Sequence, residues 1–184
     1  MKTRSLVSTY STRKIALTLS ATALVAGTLV AGIPQLWAQQ QGAAVSKQIV
    51  GVWKLVSDVN TKDGVSKAGL AFGPNPNGRF IFTSNGYYAT LNTNPSIPKF
   101  ASGNRMQGTA EENKAVVQGS IGHFGTYSIS PDGKVLTLKV EGSTWPAWTG
   151  GEQKRSLSIK GDEMKYTVAA SIGGMSELVY KRLK

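Results

Sequence analysis

Turn chemistry divides this chain into short pieces, and that feature constrains its fold most. Asp63-Gly64, Asn85-Gly86, Asp132-Gly133 and Gly161-Asp162 each stand between runs rich in β-branched and aromatic residues. Such dipeptides supply the positive φ of tight hairpin turns, so the flanking runs are expected to pair as antiparallel strands. The sequence predicts strands over residues 49–60, a weak one over 65–72, then 79–83, 87–92, 121–130, 134–141, 152–160, 163–169 and 178–183. The Gly73-Pro74-Asn75-Pro76-Asn77-Gly78 run forbids regular structure, because proline lacks a donor and fixes φ. Many short strands joined by turns give an all-β barrel or sandwich.

Gly51-Val52-Trp53-Lys54-Leu55-Val56-Ser57 is the first clear strand. Strand side chains alternate between faces. Strict alternation puts Trp53, Leu55, Ser57 and Val59 on one side, and Val52, Lys54, Val56 and Asp58 on the other. Gly51, with no Cβ, leaves room for close approach beside the Trp. The stretch from 93 to 108 is longer than most connections in compact domains, which marks it as functional or mobile. It leads into Thr109-Ala110-Glu111-Glu112, where Thr and the Glu three positions on form a capping box. A short helix is expected over 110–118, and the long loop before it is expected to cover one mouth of a barrel, since Ile97, Phe100 and Met106 need somewhere to pack.

The first 38 residues have the organisation of a secretory signal. Lys2, Arg4, Arg13 and Lys14 form a basic start without acids, residues 15–33 are apolar or small, and Ala38 offers a small residue at the cut. A membrane anchor is the rival reading, because about 20 apolar residues span a bilayer. Thr18, Ser20, Thr22 and Thr28 dilute the run and favour cleavage. Residues 39–48 then read as a flexible polar tail, and 49–184 as one domain. Periplasmic or secreted location follows from that reading.

The chain has 184 residues, a formal charge of +11, one His and no Cys. Without Cys it can use neither disulfides nor a thiol-linked lipid anchor, so its stability rests on its core. The lysines are scattered singly, whereas a nucleic-acid footprint needs a clustered basic patch with exposed aromatics; nucleic acid is not expected as a partner. One His and no Cys leave no usual zinc, haem-attachment or thiol site, and no cofactor or metal is expected. The sequence carries no G-x-S-x-G elbow, P-loop, or G-x-G-x-x-G after a strand.

Phe72-Gly73-Pro74-Asn75-Pro76-Asn77-Gly78-Arg79-Phe80-Ile81-Phe82-Thr83, then Asn85-Gly86-Tyr87, resembles the bacterial and fungal lipocalin-like domain family. So do Phe100-Ala101-Ser102-Gly103-Asn104-Arg105, Gly122-His123-Phe124-Gly125-Thr126-Tyr127, Val140-Glu141-Gly142-Ser143, Trp145-Pro146-Ala147-Trp148 and Leu178-Val179-Tyr180. The resemblance implies a small antiparallel calycin-type β-barrel with a central cavity and little about chemistry, since fold does not fix function. It also implies that Lys181 or Arg182 of the last strand covers Trp53. Relatives carry His just before the Val-Glu-Gly segment, where this chain has Leu138 and Lys139, so no proton-transfer role is carried over there.

Alternation sorts the candidate site residues. In the strand over 152–160, Gln153, Arg155, Leu157 and Ile159 share the apolar face, which directs Arg155 inward. A buried guanidinium needs a counter-charge, an acceptor cluster or an anionic ligand. Glu141 is the candidate partner. His123 and Tyr127 share a face with Ile121 and Ile129, and both can donate or accept protons. Tyr87, Trp145, Trp148 and Tyr166 complete the candidate ligand contacts. Two functions fit: an exported protein that holds a small, largely apolar or amphiphilic ligand, or a cofactor-free isomerase or cyclase using His123, Tyr127 and Glu141. A barrel packed solid would instead point to surface interactions.

Overall fold

The computed structural model describes residues 26–184. The basic start and most of the apolar run of the expected signal, residues 1–25, lie outside the described residues. A helix, α1 (Ala26–Ile49), is followed by β1 (Gly51–Lys62), β2 (Val65–Ala68), β3 (Asn77–Phe82) and β4 (Tyr87–Thr93). Then come α2 (Ala110–Gly119), β5 (Ser120–Ile129), β6 (Val135–Ser143), β7 (Glu152–Lys160), β8 (Glu163–Ala169) and β9 (Met175–Arg182). All neighbouring strands pair antiparallel, and pairing of β1 with β9 closes the sheet. Eight strands, β1 and β3 to β9, make the barrel. The short β2 lies along the last four residues of β1, beyond the part that pairs with β3.

The hairpins fall at the turns read from the sequence. The capping box is formed in both directions: Thr109 Oγ1 accepts from Glu112 N, and a Glu112 carboxylate oxygen accepts from Thr109 N at 2.8 Å. Residues 39–48, read from the sequence as a flexible polar tail, belong to helix α1. Their polar, small-residue composition hid a packed face: Gly42 N donates to Pro131 O at 2.9 Å, Val45 packs on the core, and Ile49 is fully buried. No helix among the described residues is long and apolar enough to cross a membrane.

Strict alternation fails in β1. The register shifts between Leu55 and Ser57, where Val56 is the extra residue of a bulge. One added residue reverses the faces beyond it. Trp53 and Leu55 point inward as expected, but Asp58 and Asn60, rather than Ser57 and Val59, are buried beyond the bulge. Two polar side chains thereby enter the barrel. Asn60 donates to Gly173 O at 3.0 Å, and an Asp58 carboxylate oxygen accepts from Ala71 N at 3.4 Å, while its other oxygen has no partner.

One end of the barrel is closed by packing. Trp53, Phe80, Phe82, Leu136, Leu138, Met164 and Tyr180 are all buried there or just above. Arg182 lies with its guanidinium carbon 4.1 Å from the Trp53 ring centre, as the resemblance implied. The last turn of α1 leaves carbonyls without helical partners. Trp53 Nε1 donates to Ile49 O at 2.8 Å, Arg182 Nη1 to Val50 O at 2.9 Å, and Arg182 Nη2 to Gln48 O. Gly51 is required here twice over: its φ is +132°, and a Cβ would stand 2.9 Å from Arg182 Nη1.

The other end is open. The connection between β4 and α2 stands at this end and folds back on the helix, with Asn94 N donating to Gly119 O at 2.7 Å. Ile97 and Phe100 are half-buried; Met106 finds no packing site and is 82% exposed. The wall of the mouth comes from α2 itself, through Val116 and Val117.

Candidate functional site

Arg155 enters the lumen from the middle of β7 and is only 2% exposed. Gln153, two residues earlier on the same face, accepts from Arg155 Nη2 at 2.8 Å. His123 of β5, two strands along the barrel wall, has its Nε2 at 3.2 Å from the same nitrogen. The guanidinium is stacked on aromatic rings, its carbon 4.5 Å from the centre of Tyr166 and 5.7 Å from that of Phe80. Arg155 makes no ion pair among the described residues, and its Nε and Nη1 are buried without any hydrogen-bond partner. A π face contributes ~0.5–2 kcal/mol to a cation. Each buried donor left unmade costs ~1–3 kcal/mol, so stacking does not offset two of them.

Arginine can only donate, which fixes the tautomer of His123. Nε2 accepts from Arg155, so Nδ1 carries the hydrogen and donates to the Tyr88 hydroxyl at 3.0 Å. Burial, and then the neighbouring Arg155 charge, push His123 down to about 3, so the ring is neutral near pH 7. Burial likewise pushes the Tyr88 hydroxyl up to about 12 against the opposing pull of Arg155. Tyr180, fully buried beside Tyr166 and Asn92, is raised well above its ordinary value by burial. The groups around Arg155 are thus uncharged.

Above the guanidinium lies a lumen cavity of about 60 Å³ touched by Asn92, His123, Trp148, Arg155 and Tyr166. A larger one, of about 330 Å³, forms the mouth between Val116 and Val117 of α2, Trp145 and Ile172. Ala71, Phe72, Ile121, Ser171 and Ile172 border both. The two spaces are therefore neighbours, the outer one walled mostly by apolar side chains and the inner one reaching Asn92, His123 and Arg155.

A model of the lipocalin-like domain family matches residues 50–179. The chain belongs to that family. Among solved structures, a lipocalin-like protein from Bacteroides uniformis is similar at 12% identity and a TM-score of 0.40, covering 73% of this chain and 98% of that one. A redesigned β-barrel is similar at 14% identity and 0.40, covering 78% and 96%. A protein described as the REP1-NXSQ fatty acid transporter is similar at 14% and 0.36, covering 75% and 98%. No curated protein matches the chain.

This lipocalin-like barrel brings together four residues singled out in the sequence: Arg155, His123, Trp148 and Tyr166 surround the lumen cavity. Trp148 stands edge-on to His123 with ring centres 5.5 Å apart, and Trp145 is part of the mouth. The remaining three are elsewhere. Tyr127 shares the inner face but lies toward the packed end, its hydroxyl donating to Thr83 O at 2.8 Å and its ring edge-on to Phe82. Glu141 is exposed at a register shift between β5 and β6 and does not pair with Arg155. Tyr87 is 52% exposed on the outer face.

Tyr88, Asn92 and Gln153 complete the site and were not singled out. Their strand explains two of them: β4 turns Tyr88, Thr90 and Asn92 inward, leaving Tyr87, Ala89 and Leu91 outside. Reading the more apolar face as the inner one assigns this strand backwards. The signal available in the sequence was polarity itself, Thr and Asn alternating with apolar residues beside a central cavity.

Proposed function

We propose that the protein is an exported carrier that holds a small amphiphile in the open half of its barrel, polar head inward and apolar tail in the mouth. The observation that carries this reading is Arg155, a buried cation that makes no ion pair among the described residues and lies beneath a mouth whose walls are mostly apolar. Ligand sites have this character: mostly apolar walls with a few placed polar groups that orient the guest. The arrangement gives no support to an isomerase or cyclase. His123, Tyr127 and Glu141 are not assembled in one place, and a His held near pKa 3 with both nitrogens engaged is a poor base at neutral pH.

Export is part of the proposal and rests on the basic start and apolar run before Ala38. Native mass spectrometry of protein purified from its own host tests both parts at once. The expected result is a chain shortened at its N-terminus, carrying a bound small molecule that leaves on denaturation. Protein that carries no guest, and that takes up no uncharged or charged amphiphile when titrated, would overturn the carrier reading. An intact N-terminus in the cytoplasmic fraction would overturn export.

A further inference from the structure

We propose that the guest's head group is a monoanion built of acceptor atoms, a carboxylate foremost, and that the barrel discriminates against uncharged, cationic and dianionic heads on the same tail. This rests on the carrier reading and adds the chemistry of what is carried.

Donor and acceptor supply give the first argument. Arg155 Nη2 is committed to Gln153 and His123, while Nε and Nη1 have hydrogens and no acceptor. His123 presents its lone pair to Arg155 and its hydrogen to Tyr88, so it offers nothing further. What the floor lacks is acceptors. A hydroxyl head brings an acceptor but also a hydrogen to place; an ammonium head brings only hydrogens and a second positive charge. An ionised carboxylate accepts only, and charge-assisted bonds to guanidinium nitrogens are about twice as strong as neutral ones.

Counting charge gives the second. The lumen holds one permanent cation. His123 does not supply a second near neutral pH, and Tyr88 and Tyr180 stay protonated. Asp58, the buried acid of the open end, has its charged form disfavoured by burial, is directed at the backbone of Ala71 and makes no ion pair among the described residues. One negative charge therefore balances the site, and a second would be left uncompensated out of water, where an unpaired ion costs several kcal/mol.

Size gives the third. The lumen cavity, about 60 Å³, is less than a fifth of the mouth's 330 Å³, which suits it to a head group. The tail is left to the mouth between Val117 and Ile172.

The test uses the full chain and four probes with one twelve-carbon tail: dodecanoate, 1-dodecanol, dodecylammonium and dodecyl phosphate, followed by calorimetry. Dodecanoate is expected to bind about 30-fold or more tightly than 1-dodecanol, the effect of completing a buried charge pair, and the ammonium more weakly still. Dodecyl phosphate, whose second ionisation lies near pH 6, is expected to bind better at pH 5 than at pH 8. Arg155→Met should abolish the preference, so that dodecanoate and 1-dodecanol bind this variant alike. Arg155→Lys, which keeps the charge and loses the planar donors, should retain part of the preference. Any uptake by the apolar N-terminal run is common to wild type and variants and cancels in that comparison.

Equal affinity for dodecanoate and 1-dodecanol, or a preference for dodecanoate that survives Arg155→Met, would overturn the head-group assignment while leaving a carrier of some amphiphile. Binding of none of the four probes would overturn the carrier reading and this one with it.

Discussion

Two arginines of this barrel lie over aromatic rings, one at each end, and they are treated in opposite ways. Arg182 at the packed end covers Trp53, donates to two carbonyls at the end of α1, and has Asp162 at 3.5 Å. Every part of it does structural work, and helix and barrel are joined through it. Arg155 at the open end is the more deeply buried, yet it has no carboxylate near and two nitrogens without partners. The same side chain thus serves as a fastener where its hydrogen bonds are complete and, in the proposed carrier, as a receptor where they are left open. Binding sites are commonly places where stability is given up in this manner.

The largest effect should come from the packed end. Trp53 is fully buried and carries both the Arg182 stack and the bond to Ile49. Trp53→Ala is expected to cost ~3–5 kcal/mol in urea unfolding; a loss below ~1 kcal/mol would show that the packed end is not the folding core.

The open end should reveal itself through pH. His123 titrates near 6.5 when unfolded and about 3 when folded, pushed down by burial and by Arg155. Below pH 6.5 the unfolded chain takes up a proton that the folded one refuses, so this contribution favours unfolding as pH falls. Stability is therefore undiminished above about pH 6.5 and declines by ~1.4 kcal/mol per pH unit from there toward pH 3. His123→Gln should flatten that part of the curve. Identical pH profiles for the two proteins would mean that the imidazole is not held neutral by the barrel.

The smallest effect belongs to the rim. Val117→Ser removes apolar surface that meets a guest's tail and touches little of the core. It should weaken amphiphile binding about two- to fivefold with a melting temperature within error of wild type. A large fall in melting temperature would place α2 in the folding unit and not in the mouth.

How much of this was legible in the sequence differs between the two ends for a physical reason. The packed end obeys local rules: hairpin dipeptides and inward Trp53 and Leu55 follow from turn chemistry and period-two alternation. Arg155 was legible as well, because its neighbours Leu157 and Ile159 mark the inner face of β7. The open end departs from those rules where it surrounds a cavity. A bulge at Val56 reverses β1 and brings in Asp58 and Asn60, and no residue type there announces it. Tyr88 was hidden because β4 places its polar face inward, and Glu141 misled because chain proximity alone pointed to it, although alternation from Leu136, Leu138 and Val140 puts it on the outer face. The helical face of residues 39–48 depends on contacts with a turn some ninety residues away at Pro131, which local periodicity does not register.

The contrast between the two arginines is tested most directly by measuring the urea unfolding free energies of Arg182→Met and Arg155→Met side by side without ligand. Arg182→Met should lose ~1–3 kcal/mol, since it leaves carbonyls at the end of α1 unbonded. Arg155→Met should lose less than Arg182→Met: it leaves His123 Nε2 and Gln153 Oε1 without their donor, but an apolar side chain of similar length replaces an incompletely satisfied buried cation. A loss for Arg155→Met equal to or greater than that for Arg182→Met would show that Arg155 is retained for folding, and would contradict its role as the receptor of a ligand.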